Sequence, residues 1–252
     1  PIPPLICVPT TAGTGSDVSQ FAIIADPQDK IKMTILSRAI MADVSLIDPV
    51  LLQTKKPELI AATGMDALSH NLEALCSPFY HPMADGVAVE GISLVHRYLA
   101  RAVADGGDIE ARTQMLVCSS MGATAFQKGL GAMHALAHPL GALYDAHHGT
   151  LNAILMPYVL KANRSAIEEK IDRLNRYLGL AKGGFDGFLD WVIELRAQLG
   201  IPHTLAAINI DDHDSETVGR MAVADPSAGG NPINLRSEDY RRIFQDAVTG
   251  QL

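Results

Sequence analysis

No stretch of this sequence approaches the roughly 18 apolar residues in a row that a membrane-spanning helix needs, so no membrane partner is expected. Cysteine is scarce. Cys7, Cys76 and Cys118 are scattered and form no CxxC pair. That argues against a disulfide framework or a cysteine zinc knot and fits reduced, mostly buried thiols in a cytoplasmic protein. Positive charge is short as well: the net charge is −8. A nucleic-acid surface wants clusters of Lys and Arg, so no nucleic-acid partner is expected. The first residues, Pro1-Ile2-Pro3-Pro4, hold no basic segment followed by an apolar one, and no secretory signal is read there. Internal repeats and low-complexity tracts are not visible.

What is present suffices for a well-buried core, since 48% of the 252 residues are hydrophobic. Composition changes near residue 55. Before it, short β-branched runs alternate with turns: Leu5–Val8, Phe21–Ala25, Lys32–Leu36 and Val44–Ile47 read as strands. Leu5–Val8, bounded by prolines, reads as a buried one. Ala25-Asp26-Pro27-Gln28-Asp29 has hairpin-turn chemistry. After residue 55 the pattern is helical. Asp85 is a candidate cap for a helix with apolar positions Val89, Ile92, Val95 and Leu99. Asp108 opens another helix, reaching about Phe126. Ser165 with Glu168 makes a capping-box pattern, and Gly179 a stop. A further helix spans about 186–199, ended by Gly200 and Pro202, and Ser237 opens the last. The predicted organisation is a small α/β piece (1–54) followed by a larger all-helical domain (55–252).

Four of the nine histidines fall within fifteen residues: His134, His138, His147 and His148. His134 and His138 are four apart and share one face of a helix. Pro139 and Gly141 are expected to bend or break that helix, so that the chain returns with His147 or His148. Upstream, Asp66 and His70 are also four apart, in a run that otherwise looks buried (Leu59, Ile60, Leu68, Leu72). A lone Asp-x3-His pair is more often a surface or capping pair. Here a carboxylate and an imidazole on an apolar face are costly unless something compensates. A divalent metal does so, accepting imidazole nitrogen and carboxylate oxygen at about 2.0–2.2 Å. Such a nitrogen and oxygen set without thiolates suits iron or zinc. Spacing alone does not choose between His147 and His148, nor exclude His138.

Pro9-Thr10-Thr11-Ala12-Gly13-Thr14-Gly15-Ser16-Asp17-Val18 follows the first strand directly. Such a turn lets backbone N–H groups approach a phosphate. It is neither a Walker A loop nor the dinucleotide fingerprint, and a plain structural turn is the competing interpretation.

Together these residues resemble the iron-containing (group III) alcohol dehydrogenases, relatives of the glycerol dehydrogenases and, more distantly, of the dehydroquinate synthases. Four stretches carry the resemblance in order: Pro9–Ser16, Gly64–His70, Gly131-Ala-Met-His134 through His138-Pro-Leu-Gly141 to His148-Gly149, and Asn231-Pro232. The resemblance implies a mainly α, dehydroquinate synthase-like architecture: an all-helical metal-binding domain preceded by a remnant of a dinucleotide-binding domain. It implies Fe2+ (or Zn2+) on Asp66, His70, His134 and His148. His138 matches the histidine beside the nicotinamide. His147 matches no family ligand and is taken as an extra polar residue near the site. Thr10, Thr11, Thr14, Gly15 and Ser16 match the cofactor loop, and Lys32 a lysine near the cofactor ribose.

The sequence departs from the family in three places. The upstream Gly-Gly-Gly-Ser loop that binds the pyrophosphate is absent, so the chain is expected to be the C-terminal portion of a longer enzyme. Asp17 stands where Glu is usual. Ile233 follows Asn231-Pro232 where Arg is frequent. The implied function is hydride transfer between a primary alcohol or its aldehyde and NAD or NADP. A Lewis-acid metal and His138 as proton relay would serve it, in a homo-oligomeric full-length enzyme. The alternatives are a metal-binding fragment without catalysis and a dehydroquinate synthase-like lyase.

Overall fold

A computed structural model describes residues 3–26 and 31–252 of the chain. Four short strands come first: β1 (Ile6–Cys7), β2 (Phe21–Asp26), β3 (Ile31–Leu36) and β4 (Val44–Ser45). β1 and β4 pair in parallel, β2 and β3 antiparallel with Phe21 opposite Leu36. The expected hairpin turn falls on 27–29, outside the described residues. Eight helices follow: α1 (Pro57–Cys76), α2 (Pro82–Ala104), α3 (Ile109–Ala125), α4 (Ala132–Tyr144), α5 (His148–Leu178), α6 (Gly184–Gln198), α7 (Ser215–Ala224) and α8 (Ser237–Thr249). The mainly α architecture is as expected.

α1 lies at the centre. It begins at Pro57, whose missing N–H costs nothing in a first turn, and is buried almost continuously from Ile60 to Cys76. A helix buried on every side needs neighbours on every side, and α2, α3 and α5 pack around it. Two glycines allow the close approaches. A Cβ on Gly64 would stand 2.1 Å from Leu99 of α2. One on Gly149 would stand 2.3 Å from the Ala62 carbonyl oxygen of α1.

Several local expectations are corrected. Leu5–Val8 is not buried: Ile6 is 64% exposed. β1 pairs only with β4 among the described residues, and Leu5 and Val8 are exposed beside Ile6. Asp85 is not the cap of α2. That helix starts at Pro82, and His81 Nδ1 accepts the Ala84 N–H at 3.1 Å. Asp85 instead receives Lys128 Nζ at 2.5 Å. Ser165 and Glu168 lie inside α5, which runs unbroken from His148 until Gly179 ends it in the left-handed region (φ 68°). Packing of its buried face on α1 and α6 continues the helix past a local start signal. Ser237 is the first residue of α8, after its cap position Arg236, whose N–H is held by Asp239 Oδ2 at 2.9 Å. Asp108 does cap α3, accepting the Ala111 N–H at 2.9 Å.

Candidate metal centre

The turn after β1 is seated on the helices. Gly15 has φ 65°, and a Cβ there would lie 2.5 Å from the Ser119 carbonyl oxygen of α3. Ser119 Oγ in turn donates to the Gly13 carbonyl at 3.0 Å. Asp17 is buried and accepts Ser45 Oγ at 2.5 Å, which ties the turn to β4. Thr14 Oγ1 therefore reaches α1 and donates to Asp66 Oδ2 at 3.3 Å.

α4 brings the second set. Pro139 does not break this helix, which runs through it to Tyr144 and turns only at Asp145 (φ 52°). Its N-terminal amides are held by side chains remote in sequence. Glu73 accepts Gly131 N–H at 2.8 Å and Met133 N–H at 2.6 Å, and Asn231 Oδ1 accepts Ala132 N–H at 3.1 Å. Asn231 is itself locked to Asn163 by reciprocal 2.8 Å hydrogen bonds. Beside this locked asparagine, Ile233 offers its carbonyl to Asn231 Nδ2 at 2.9 Å. These contacts satisfy donors that a helix start leaves open and fix the first turn, which carries His134.

The short 145–147 segment then leads into α5. His148 is its first residue, pressed against α1 by Gly149. Asp66, His134 and His148 consequently converge, and His70 stands beside His134 at the edge of that group. His134 Nε2 lies 3.0 Å from His70 Nε2 and 4.0 Å from Asp66 Oδ1, and His148 Nε2 lies 3.5 Å from Asp66 Oδ1. Asp66, His134 and His148 each offer a donor atom within 4.8 Å of the others. A tetrahedral cation with bonds near 2.1 Å has ligand–ligand edges of about 3.4 Å, so this donor set fits a divalent metal.

The electrostatics suit a cation too. Burial pushes the imidazoles of His70 and His134 down to about 4 and that of His148 to about 3, against the pull of Asp66, so all three are neutral near pH 7. Burial opposes ionisation of Asp66, but the positive charge that the surrounding imidazoles take up in acid and the Asn152 amide outweigh it and hold the carboxyl well below the usual range. One buried anion facing three lone pairs lacks only a positive charge. Glu73 is a further buried carboxylate, and its Oε2 lies 2.7 Å from His134 Nδ1. Burial raises the Glu73 carboxyl to about 7, opposed by the two backbone N–H groups.

His138 is not in this cluster. It stacks on His148 with ring centroids 5.5 Å apart, and its Nδ1 lies 2.8 Å from Asp225 Oδ2. His147 does not face the site: it is exposed, and its Nδ1 lies 3.4 Å from Thr150 Oγ1. A cavity of about 880 Å³ opens beside the cluster, with Thr14, Ser16, His70, His134, His138 and His148 in its wall together with Phe21, Phe79 and Phe126. Thr11 lines a separate small hollow with Leu52, Lys55 and Thr63, and Thr10, which is exposed, lines neither. Lys32 pairs with Ala25 on β3, and its side chain lies outside the described residues.

Residues 60–248 match the family described as Fe-containing alcohol dehydrogenase family, C-terminal, and residues 1–49 match Iron-containing alcohol dehydrogenase. The chain belongs to the iron-containing alcohol dehydrogenase family. The 1,3-propanediol dehydrogenase of Citrobacter freundii is 36% identical over 254 residues, covering 98% of this chain and 66% of that protein. The NAD-dependent methanol dehydrogenase of Bacillus methanolicus is 33% identical, covering 98% and 67%. A crystal structure of 1,3-propanediol oxidoreductase superposes with a TM-score of 0.94 at 35% identity, over 98% of this chain and 66% of that one. This family member thus spans about two thirds of the length of these relatives.

Glu73, Asn152 and Asp225 are site residues that the sequence alone does not single out. Glu73 carried a signal: it lies three residues after His70 on the same helix face, a carboxylate among Leu72, Ala74 and Leu75. Asn152 follows His148 by four. Asp225 carried none, because only the tertiary fold sets it against α4.

Proposed function

We propose that the protein is a metal-dependent oxidoreductase that moves a hydride between a primary alcohol or its aldehyde and NAD(P). The observation that carries this reading is the convergence of Asp66, His134 and His148 beside a large cavity, with His70 Nε2 3.0 Å from His134 Nε2. These four residues would hold Fe2+ or Zn2+. When bound, such a cation supplies Lewis acidity toward an alcohol or aldehyde oxygen.

The chain's own residues do the rest. Glu73 holds the His134 proton on Nδ1, which leaves Nε2 bare toward the centre. Asp225 does the same for His138, whose free Nε2 is then available to take the alcohol proton and pass it to solvent. Thr14, Gly15 and Ser16, with Thr10, Thr11 and Lys32 further along the same region, are the proposed contacts of the dinucleotide. The methanol dehydrogenase relative, whose name states dependence on NAD, supports that class of cofactor. Phe21, Phe79 and Phe126 give the cavity part of its apolar lining. Residues 1–54 form the cofactor-side unit and 55–252 the metal-binding unit in this scheme. It carries with it a cytoplasmic location and a homo-oligomeric intact enzyme. The relatives named above are dehydrogenases or oxidoreductases by name, which favours this reading over a lyase.

Reduction of NAD+ or NADP+ at 340 nm with a panel of primary alcohols tests the proposal. Turnover that requires added Fe2+ or Zn2+ is the expected result. Absence of turnover by the metal-loaded intact enzyme with every alcohol and both dinucleotides would overturn it.

A further inference from the structure

Asn152 sits one turn into α5 from His148 and is fully buried. Its amide nitrogen lies 2.9 Å from Asp66 Oδ1, 3.2 Å from His148 Nε2 and 3.3 Å from His134 Nε2. Those are the three atoms that face the common point. The carbonyl oxygen of the same amide has no hydrogen-bond partner in its buried position. A buried amide with an orphaned oxygen is unfavourable. Turning the amide over would be worse, since it would press that oxygen against a carboxylate and two lone pairs.

We infer that Asn152 is a positioning residue for the metal centre. It is not a ligand: its NH2 group aims the ligand atoms. Three acceptors crowded together in a buried space repel one another. In the metal-free protein two amide hydrogens placed among them hold Asp66 Oδ1 and the two Nε2 atoms in converging directions. Each imidazole nitrogen has one lone pair, so the amide gives those two up when a cation binds and keeps Asp66 Oδ1, which has a second lone pair. The second oxygen of Asp66 has its own donor in Thr14 Oγ1, so the two donors divide the carboxylate between them and leave Oδ1 as the atom turned to the centre. His148, the most exposed of the four, depends on this most, because its Nδ1 has no partner to orient the ring. Groups that orient ligands in this way commonly change metal affinity by about 10- to 100-fold.

The inference rests on the metal reading proposed above, and wild-type protein separates the two. The probe is Co2+, followed by its visible d–d spectrum and by competition with a chelator, on intact protein stripped of metal. A wild type that binds no Co2+ would overturn both proposals. If wild type binds, Asn152→Ala is expected to weaken Co2+ by about 10- to 100-fold with an altered spectrum, while the melting temperature of the metal-free protein moves by only a few degrees. Unchanged affinity and spectrum in Asn152→Ala would overturn the inference, as would a loss of affinity with a wild-type spectrum matched by an equal loss of metal-free stability. Should Asn152→Ala fail to fold, Asn152→Leu keeps the shape and removes the donor hydrogens without adding a ligand. An altered cobalt spectrum supports the inference in that variant, and a wild-type spectrum with wild-type affinity overturns it.

Discussion

The carboxylate of Glu73 stands 2.7 Å from Nδ1 of His134, and the two residues are 61 apart in sequence. Glu73 also holds two amides of the helix that carries His134. One side chain therefore sets both the place of the histidine and the nitrogen it presents.

Replacing Glu73 should disturb both functions. Glu73→Ala orphans two buried backbone donors and one imidazole N–H, at a cost of about 3 kcal/mol or more in unfolding free energy. Glu73→Gln keeps the volume and should weaken zinc or cobalt by about 10- to 100-fold. Urea denaturation and chelator competition read the two effects. Wild-type metal affinity in Glu73→Gln would contradict the assigned tautomer.

Gly149 is the second lever. A methyl group at this position meets the Ala62 carbonyl at 2.3 Å, and backbone cannot step aside cheaply. Gly149→Ala should destabilise the protein by about 1–3 kcal/mol and move His148 away from Asp66. Chelator competition should then show weaker metal, with Glu73 and its hydrogen bonds intact.

In metal-free protein, acid should destabilise. The imidazoles of His70 and His134 sit near 4 and that of His148 near 3, below the ordinary histidine value. Between about 6.5 and 4 the unfolded chain takes up protons that the folded chain refuses, so stability falls as pH falls through that window. Glu73, raised to about 7, acts in the opposite sense: its contribution is lost as pH rises from about 4.5 through 7. Three imidazoles against one carboxyl predict a net loss on acidification. Urea midpoints of chelator-treated protein at pH 7, 5.5 and 4.5 should decline in that order, and a midpoint rising toward pH 4.5 would contradict the burial described.

Asp225→Asn addresses His138. An amide there can donate to Nδ1, which moves the ring N–H to Nε2 and removes the free acceptor. Turnover of the intact enzyme should drop by about a hundredfold or more. Cobalt affinity should stay at the wild-type value, because His138 is outside the cluster.

Local patterning made the helices legible. Asp108 and Gly179 act at the ends where their chemistry puts them. Ser165 misled because the same start signal is harmless inside α5, where packing on both sides carries the helix through it. Leu5–Val8 misled for a related reason: an apolar run shows what could be buried, and only the neighbouring elements decide whether it is. At the site, the Asp66/His70 and His134/His138 pairs at four-residue spacing were readable because the helical repeat fixes their shared faces. The choice of His148 over His147 was not readable from spacing. It depends on where α4 ends, at Asp145 rather than Pro139, and on Gly149 against Ala62. The hydrogen bonds that orient the cluster, from Asn152, Thr14 and Glu73, join elements 50 to 90 residues apart and leave almost no local trace.

The central claim is a single divalent ion held by Asp66, His70, His134 and His148. Elemental analysis of protein purified without oxygen, wild type beside His134→Ala, tests it most directly. One iron or zinc per wild-type chain, and its loss in the variant, is the expected result. Full metal occupancy in His134→Ala would contradict it.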